Sequence, residues 1–71
     1  MKNHTKIRDR HSLILFLSKL SLNYKEHFQD DGSIEFREFI KHLEKYHRDN
    51  SIITNYYSYE LLRDGVNKFY I

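Results

Sequence analysis

Three observations on this sequence predict a mainly α-helical fold with a minor β element. Apolar residues recur at helical spacing in residues 12–24 and 36–47. Turn-forming clusters, Asp30-Asp31-Gly32-Ser33, Asp49-Asn50-Ser51 and Asp64-Gly65, cut the chain into segments of helix length. The closing residues Val66-Asn67-Lys68-Phe69-Tyr70-Ile71 have strand propensity. Together they predict a three-helix cluster with a short strand near 33–36 and a C-terminal strand near 67–71. A plain three-helix bundle with a loose tail is the alternative.

In the first helix Leu13, Phe16, Leu17 and Leu20 follow the i, i+3, i+4, i+7 spacing of a buried stripe, widened by Ile14 and Leu15. Asp9 or Ser12 is suited to cap its start. The chain then turns at Asp30-Asp31-Gly32-Ser33, where glycine accepts positive φ and aspartate bonds its own backbone. Ser33-Ile34-Glu35-Phe36 reads as the short extended segment, and a second helix runs to about Arg48 with Phe36, Phe39, Ile40, Leu43 and His47 within one face. Asp49-Asn50-Ser51 caps a third helix over residues 52–63, with Gly65 as its C′ residue. Two stripes compete for its inner face, Ile53-Tyr57-Leu61 and Ile52-Tyr56-Tyr59. The order helix, short strand, helix, helix, strand is winged-helix-like. The expected core pools Leu13, Phe16, Leu17, Leu20, Ile34, Phe36, Phe39, Ile40, Leu43, Ile53, Leu61 and Phe69.

Seventy-one residues make one domain, here residues 11–71 behind a flexible basic arm at 1–10. A chain this short has a thin stability margin. With no cysteine it has neither disulfides nor thiolate metal sites, so docking on a partner or on a second copy is expected to compensate. The absence of cysteine also fits a reducing, cytoplasmic setting. The apolar run at residues 13–17 is too short for a membrane span, which takes about 20 residues, or for a signal peptide. A chain rich in Lys, Ile, Asn and Tyr and devoid of Ala, Pro, Trp and Cys suggests AT-rich coding, as in a low-GC bacterium or its phages.

Asp31-Gly32-Ser33-Ile34-Glu35-Phe36-Arg37-Glu38-Phe39 resembles the second half of an EF-hand calcium loop, with Gly at the sixth place, Ile at the eighth and Glu at the twelfth. The resemblance implies oxygen ligands at Asp31, Ser33, Glu35 and Glu38. The first and third ligand places fall on His27 and Gln29, where the loop needs hard oxygen donors. The stretch from this turn to the C-terminus is also similar in spacing to the winged-helix lobe of the RNA 2′-phosphotransferase family, which has an Asp-Gly or Glu-Gly turn, two helices and a Phe-containing strand. That likeness implies a fold only, because Leu22-Asn23-Tyr24-Lys25-Glu26 does not match the family's basic catalytic motif.

No reaction is specified. The five histidines include no i, i+3 or i, i+4 pair for a metal, and Gly32 and Gly65 alone cannot build a phosphate-binding loop. No cofactor, small-molecule substrate or catalytic residue is expected. Net charge is only +2, so the distribution of cations matters more than their sum. Arg37, Lys41, Lys45 and Arg48 fall within roughly 80° of one another on the second helix, at about 100° per residue, opposite its apolar stripe. With Lys6, Arg8 and Arg10 of the arm they are the candidate contacts to nucleic-acid phosphates. The polar residues Asn55, Ser58 and Arg63 are candidate additions to that surface. The competing expectation is a phage-type inhibitor or adaptor that docks on a host protein, or on itself, through Tyr56, Tyr57, Tyr59 and Tyr70.

Overall fold

The computed structural model describes residues 6–20 and 23–70. Three helices, α1 (Arg10–Ser18), α2 (Ile34–Arg48) and α3 (Tyr56–Phe69), are joined through 3-10 turns at Tyr24–Glu26 and Asn50–Thr54. Each helix starts at a polar cap whose side chain accepts from the backbone N–H three residues on. Asp9 accepts from Ser12 at 2.8 Å, Ser33 from Phe36 at 3.0 Å and Asn55 from Ser58 at 3.1 Å. α2 packs against α3 and the second 3-10 turn, and α1 lies on α3.

The protein is thus mainly helical, a three-helix cluster, and neither expected strand forms among the described residues. Residues 34–36 are the first turn of α2, because Ser33 caps that turn and Glu35 sits where the helix dipole favours an anion. Helical phasing puts Ile34 on the outer side of α2, 71% exposed, so it leaves the expected core. At the other end residues 67–69 complete α3. Only an isolated bridge, Phe28 to Tyr70, and the bond from the Gln29 N–H to the Phe69 carbonyl at 2.9 Å resemble strand pairing. Ile71 lies outside the described residues.

The third helix differs most from expectation. Asp49 caps the 3-10 turn, accepting from the Ser51 N–H at 2.9 Å, and α3 begins only at Tyr56. It then runs through Gly65 to Phe69. Neither tyrosine stripe faces inward as a whole, since Ile53 and Tyr59 are buried while Tyr56 and Tyr57 are exposed; the inner face of α3 is Ser58, Tyr59, Leu62, Gly65, Val66 and Phe69. At Gly65 the Phe39 ring of α2 packs directly on α3, since a Cβ there would lie 2.5 Å from Cγ of Phe39. By contrast Gly32 serves the turn before α2, with φ +76°.

The core is aromatic at its centre. Phe39 meets Phe28 edge-on at 4.9 Å and Phe36 meets Phe69 at 5.0 Å, arrangements that add about 0.5–1.5 kcal/mol per pair beyond area burial. Around them Leu13, Leu17, Leu43, Ile53, Leu62 and Val66 are buried, with Ile7 and Tyr46 closing the edges. Phe16, Leu20, Ile40 and Leu61 are half-buried against this core.

Candidate nucleic-acid interface

The helical phase that sends Phe36, Phe39, Leu43 and Tyr46 inward sends Arg37, Lys41, Lys45 and Arg48 outward, and all four cations are exposed. Lys41 lies 3.9 Å from Glu38, an exposed pair at the limit of contact that solvent and salt screen. Among the described residues no carboxylate lies within ion-pair distance of Arg37, Lys45 or Arg48. Lys45 and Arg48 also stand in the last turn, where cations offset the negative end of the helix dipole.

The cations of the N-terminal segment are placed differently. Lys6, Arg8 and Arg10 are exposed, but Ile7 between them is buried. Asn67 holds Ile7 from both sides: its Oδ1 accepts the Ile7 N–H at 2.8 Å and its Nδ2 donates to the Ile7 carbonyl at 3.0 Å. The Tyr59 hydroxyl donates to the Arg8 carbonyl at 3.0 Å. Arg10 donates from Nε to the Ile53 carbonyl at 3.1 Å and sets its guanidinium 4.8 Å from the Tyr59 ring centre. These contacts run to α3 and the second 3-10 turn, so α2 alone gathers a cationic row. Lys2 lies outside the described residues.

Of the polar residues expected to extend that row, Asn55 caps α3 and Ser58 is buried. Arg63 is 3.0 Å from Asp64 and 3.7 Å from Glu60, and the Asp64 and Tyr59 hydrogen bonds push its pKa up. The tyrosines divide likewise. Tyr56 and Tyr57 are each 62% exposed, whereas Tyr59 is 7% exposed and belongs to the interior. Tyr70 is half-buried, edge-on to Phe16 at 4.9 Å. The Tyr56 hydroxyl donates to Glu60 at 3.0 Å, and that bond to a carboxylate raises its pKa. Tyr57 packs edge-on to His42 at 5.8 Å; His42 is buried with Nδ1 3.0 Å from the Glu38 carbonyl. His47 is not on the buried side; it is exposed beside the Tyr24 ring.

Hollows lie on both sides of α2. A small cleft of about 210 Å³ toward α3 is lined by Glu35, Tyr57, Glu60 and Asp64 over Phe39, Leu61 and Gly65. Its carboxylates have neighbours already: Glu35 bonds Lys68 at 2.8 Å, Asp64 bonds Arg63, and Glu60 bonds Tyr56. On the other side a groove of about 540 Å³ runs between the segment 23–30 and α2, lined by Asn23, Tyr24, Phe28, Asp30, Phe36, Ile40 and Glu44. Burial, with the Glu44 carboxylate nearby, raises the pKa of Tyr24. No motif marks this groove in the sequence; the one signal is Phe28, a lone large apolar residue in a polar stretch.

The loop similar to an EF-hand is closed by its own hydrogen bonds. Asp30 accepts from the Gly32 N–H at 2.7 Å and Asp31 from the Ser33 N–H at 3.0 Å, while Glu35 is turned to Lys68. Among the described residues no three His, Asp or Glu side chains converge as metal donors, and no helix is long and apolar enough to cross a membrane. Comparison with protein-family profiles, with curated proteins and with solved structures gives no match.

Proposed function

We propose that this chain is a non-enzymatic binding domain that contacts nucleic-acid phosphates through the outer face of α2. Arg37, Lys41, Lys45 and Arg48 carry the contact. One observation supports this reading above the others: the four cations share a face, and Lys41 alone has a carboxylate in reach among the described residues. From Arg37 to Arg48 the row covers about 16 Å of helix at 1.5 Å per residue. A duplex offers one negative charge per ~1.7 Å of its axis, so each cation has a phosphate available.

Fluorescence anisotropy with labelled oligonucleotides at several salt concentrations tests the reading. Four phosphate contacts give a slope of log affinity against log salt of about −3 to −4, and replacing Lys41 or Lys45 by Gln lowers its magnitude by about 0.9 each. Absence of binding to both DNA and RNA at low salt sinks it.

A second reading is supported by a separate observation. Tyr56 and Tyr57 are each 62% exposed at the start of α3, and Ile14 and Leu15 are exposed on α1. Tyrosine combines a large apolar area with a polar tip, which suits docking on a host protein or on a second copy. Sedimentation at two concentrations, with Tyr56→Ala and Tyr57→Ala as controls, separates this from the first reading.

A further inference from the structure

The side of α2 next to the cationic row has an apolar groove that a duplex lying on the row would leave empty. Its floor is Phe28 and Phe36, both nearly inaccessible, with half-buried Tyr24 and Ile40 as walls. An adjoining hollow of about 250 Å³ shares Asp30, Phe36 and Ile40 with it and opens between Arg37 and Lys41. Groove and row are therefore continuous. The groove's volume of about 540 Å³ falls within the ~300–1,000 Å³ range of clefts that take small molecules.

The polar groups here are the carboxylates of Asp30 and Glu44, the Asn23 amide and the Tyr24 hydroxyl; the hydroxyl lies 3.4 Å from the Leu43 carbonyl, and Asp30 already accepts from the Gly32 N–H. Glu44 is exposed and makes no hydrogen bond or ion pair with a described residue. Carboxylates repel a phosphate, so the anion belongs at the mouth, on Arg37 and Lys41. What suits the interior is a flat, apolar-faced group with N–H donors on its edge.

We infer that the groove receives an unstacked base of single-stranded nucleic acid, one that bears an exocyclic amino group, while Arg37 and Lys41 hold the adjoining phosphates. This rests on the nucleic-acid reading of the α2 row and adds to it a strand form and a base preference. The base faces lie against Tyr24 and Ile40, a contact indifferent to sequence because every base has a π face. The base edge meets Glu44 or Asp30, which accept from an amino group such as N4 of cytosine. Thymine and uracil turn carbonyl oxygens to the same carboxylates and are disfavoured. A paired base cannot enter, because its faces are stacked and its edge is occupied.

Anisotropy titrations at low salt with labelled oligo-dC, oligo-dA and oligo-dT of about twelve nucleotides, and with a duplex of equal length, test this. Single strands are expected to bind about tenfold more tightly than the duplex. Oligo-dC is expected to exceed oligo-dT by at least about fivefold. Glu44→Gln, an exposed change that leaves the core alone, should shrink the dC-over-dT ratio, mainly by raising oligo-dT affinity, because the amide donates to a carbonyl that the carboxylate repels. Tyr24→Ala should weaken single strands and spare the duplex, with melting followed by circular dichroism to confirm folding.

Equal or tighter duplex binding overturns the inference and leaves the α2 row intact; so does a ratio of dC to dT near one. Failure of every oligonucleotide at low salt removes the underlying reading as well. Should Ile40→Lys dissociate a self-dimer in sedimentation while oligonucleotide affinity stays unchanged, the occupant is a second copy and the inference is overturned.

Discussion

α2 and α3 are close in length, 15 and 14 residues, and they treat their outward charges in opposite ways. On α3 the charged groups are engaged locally: Arg63 with Asp64 and Glu60, Glu60 with Tyr56, and Lys68 across to Glu35. On α2 four cations share one exposed face, and its ion pair to Glu38 is loose. The outer charges of α3 therefore stabilise the monomer a little, whereas those of α2 are available to something outside it. Exposed pairs of the α3 kind contribute little to folding, so the contrast matters for recognition more than for stability.

The strongest test of this contrast acts on the contact that sets both helices in phase. Phe39 is almost fully buried against Phe28, Phe69 and the backbone at Gly65. Phe39→Ala should cost about 3–5 kcal/mol, comparable to the whole stability of a chain this size at roughly 0.05–0.15 kcal/mol per residue. Thermal or urea unfolding should find its midpoint sharply lowered, and at the low end of that stability range the variant is largely unfolded at room temperature. Gly65→Ala comes next, at about 1–3 kcal/mol, because the added methyl meets the Phe39 ring. That loss runs against the gain of roughly 1 kcal/mol that alanine brings to an open helix. A stabilised Gly65→Ala variant would mean that the two helices are not in close approach there.

A smaller effect is expected at Tyr59, whose hydroxyl donates to the Arg8 carbonyl from a buried ring. Tyr59→Phe should cost about 0.5–1.5 kcal/mol and speed amide exchange in residues 6–9. The combined change of Arg37, Lys41, Lys45 and Arg48 to Gln should leave melting within a few degrees while abolishing the salt-dependent binding proposed above. A large loss of stability on that change would mean that the α2 cations serve the monomer, as those of α3 do.

The smallest effect is that of acid. Asp9, Asp31 and Asp49 accept hydrogen bonds from Ser12, Ser33 and Ser51 respectively, and these hold their pKa values below the ordinary 3.8 of aspartate. The unfolded chain then binds more protons than the folded one between the lowered values and 3.8. Their contribution is complete above that window and is lost as pH falls through it. Melting should be insensitive to these groups near neutrality and decline below about pH 4. Asp9→Asn, Asp31→Asn and Asp49→Asn should each flatten that decline.

The same pair of helices explains what could be read in advance. α2 was legible because Phe36, Phe39 and Leu43 fall on one side and Arg37, Lys41, Lys45 and Arg48 on the other, so its one-dimensional pattern has a single folding solution. α3 was not, since its inner stripe Tyr59-Leu62-Val66-Phe69 is split by an apparent helix end. Val66 and Phe69 follow Asp64-Gly65, which looks like that end. Glycine as a C′ residue and glycine as a close-packing site look identical in a sequence; only the approach of Phe39 tells them apart. Ile34 was misplaced for a related reason. Residues 33–36 after the turn read as a short extended segment, while the cap at Ser33 starts a helix that turns Ile34 outward. The groove beside α2 is marked in the sequence by Phe28 alone and by no motif, because it depends on residues 23–30 folding back along the helix.

The amide of Asn67 acts as a clasp: one side chain imitates a rung of backbone pairing and shuts the chain into a ring across 60 positions. Asn67 lies in the last turn of α3, so the clasp fastens only once that helix has wound to its end. Fraying of its final turn therefore also unlatches Ile7, linking the order of the segment before α1 to that of the end of α3.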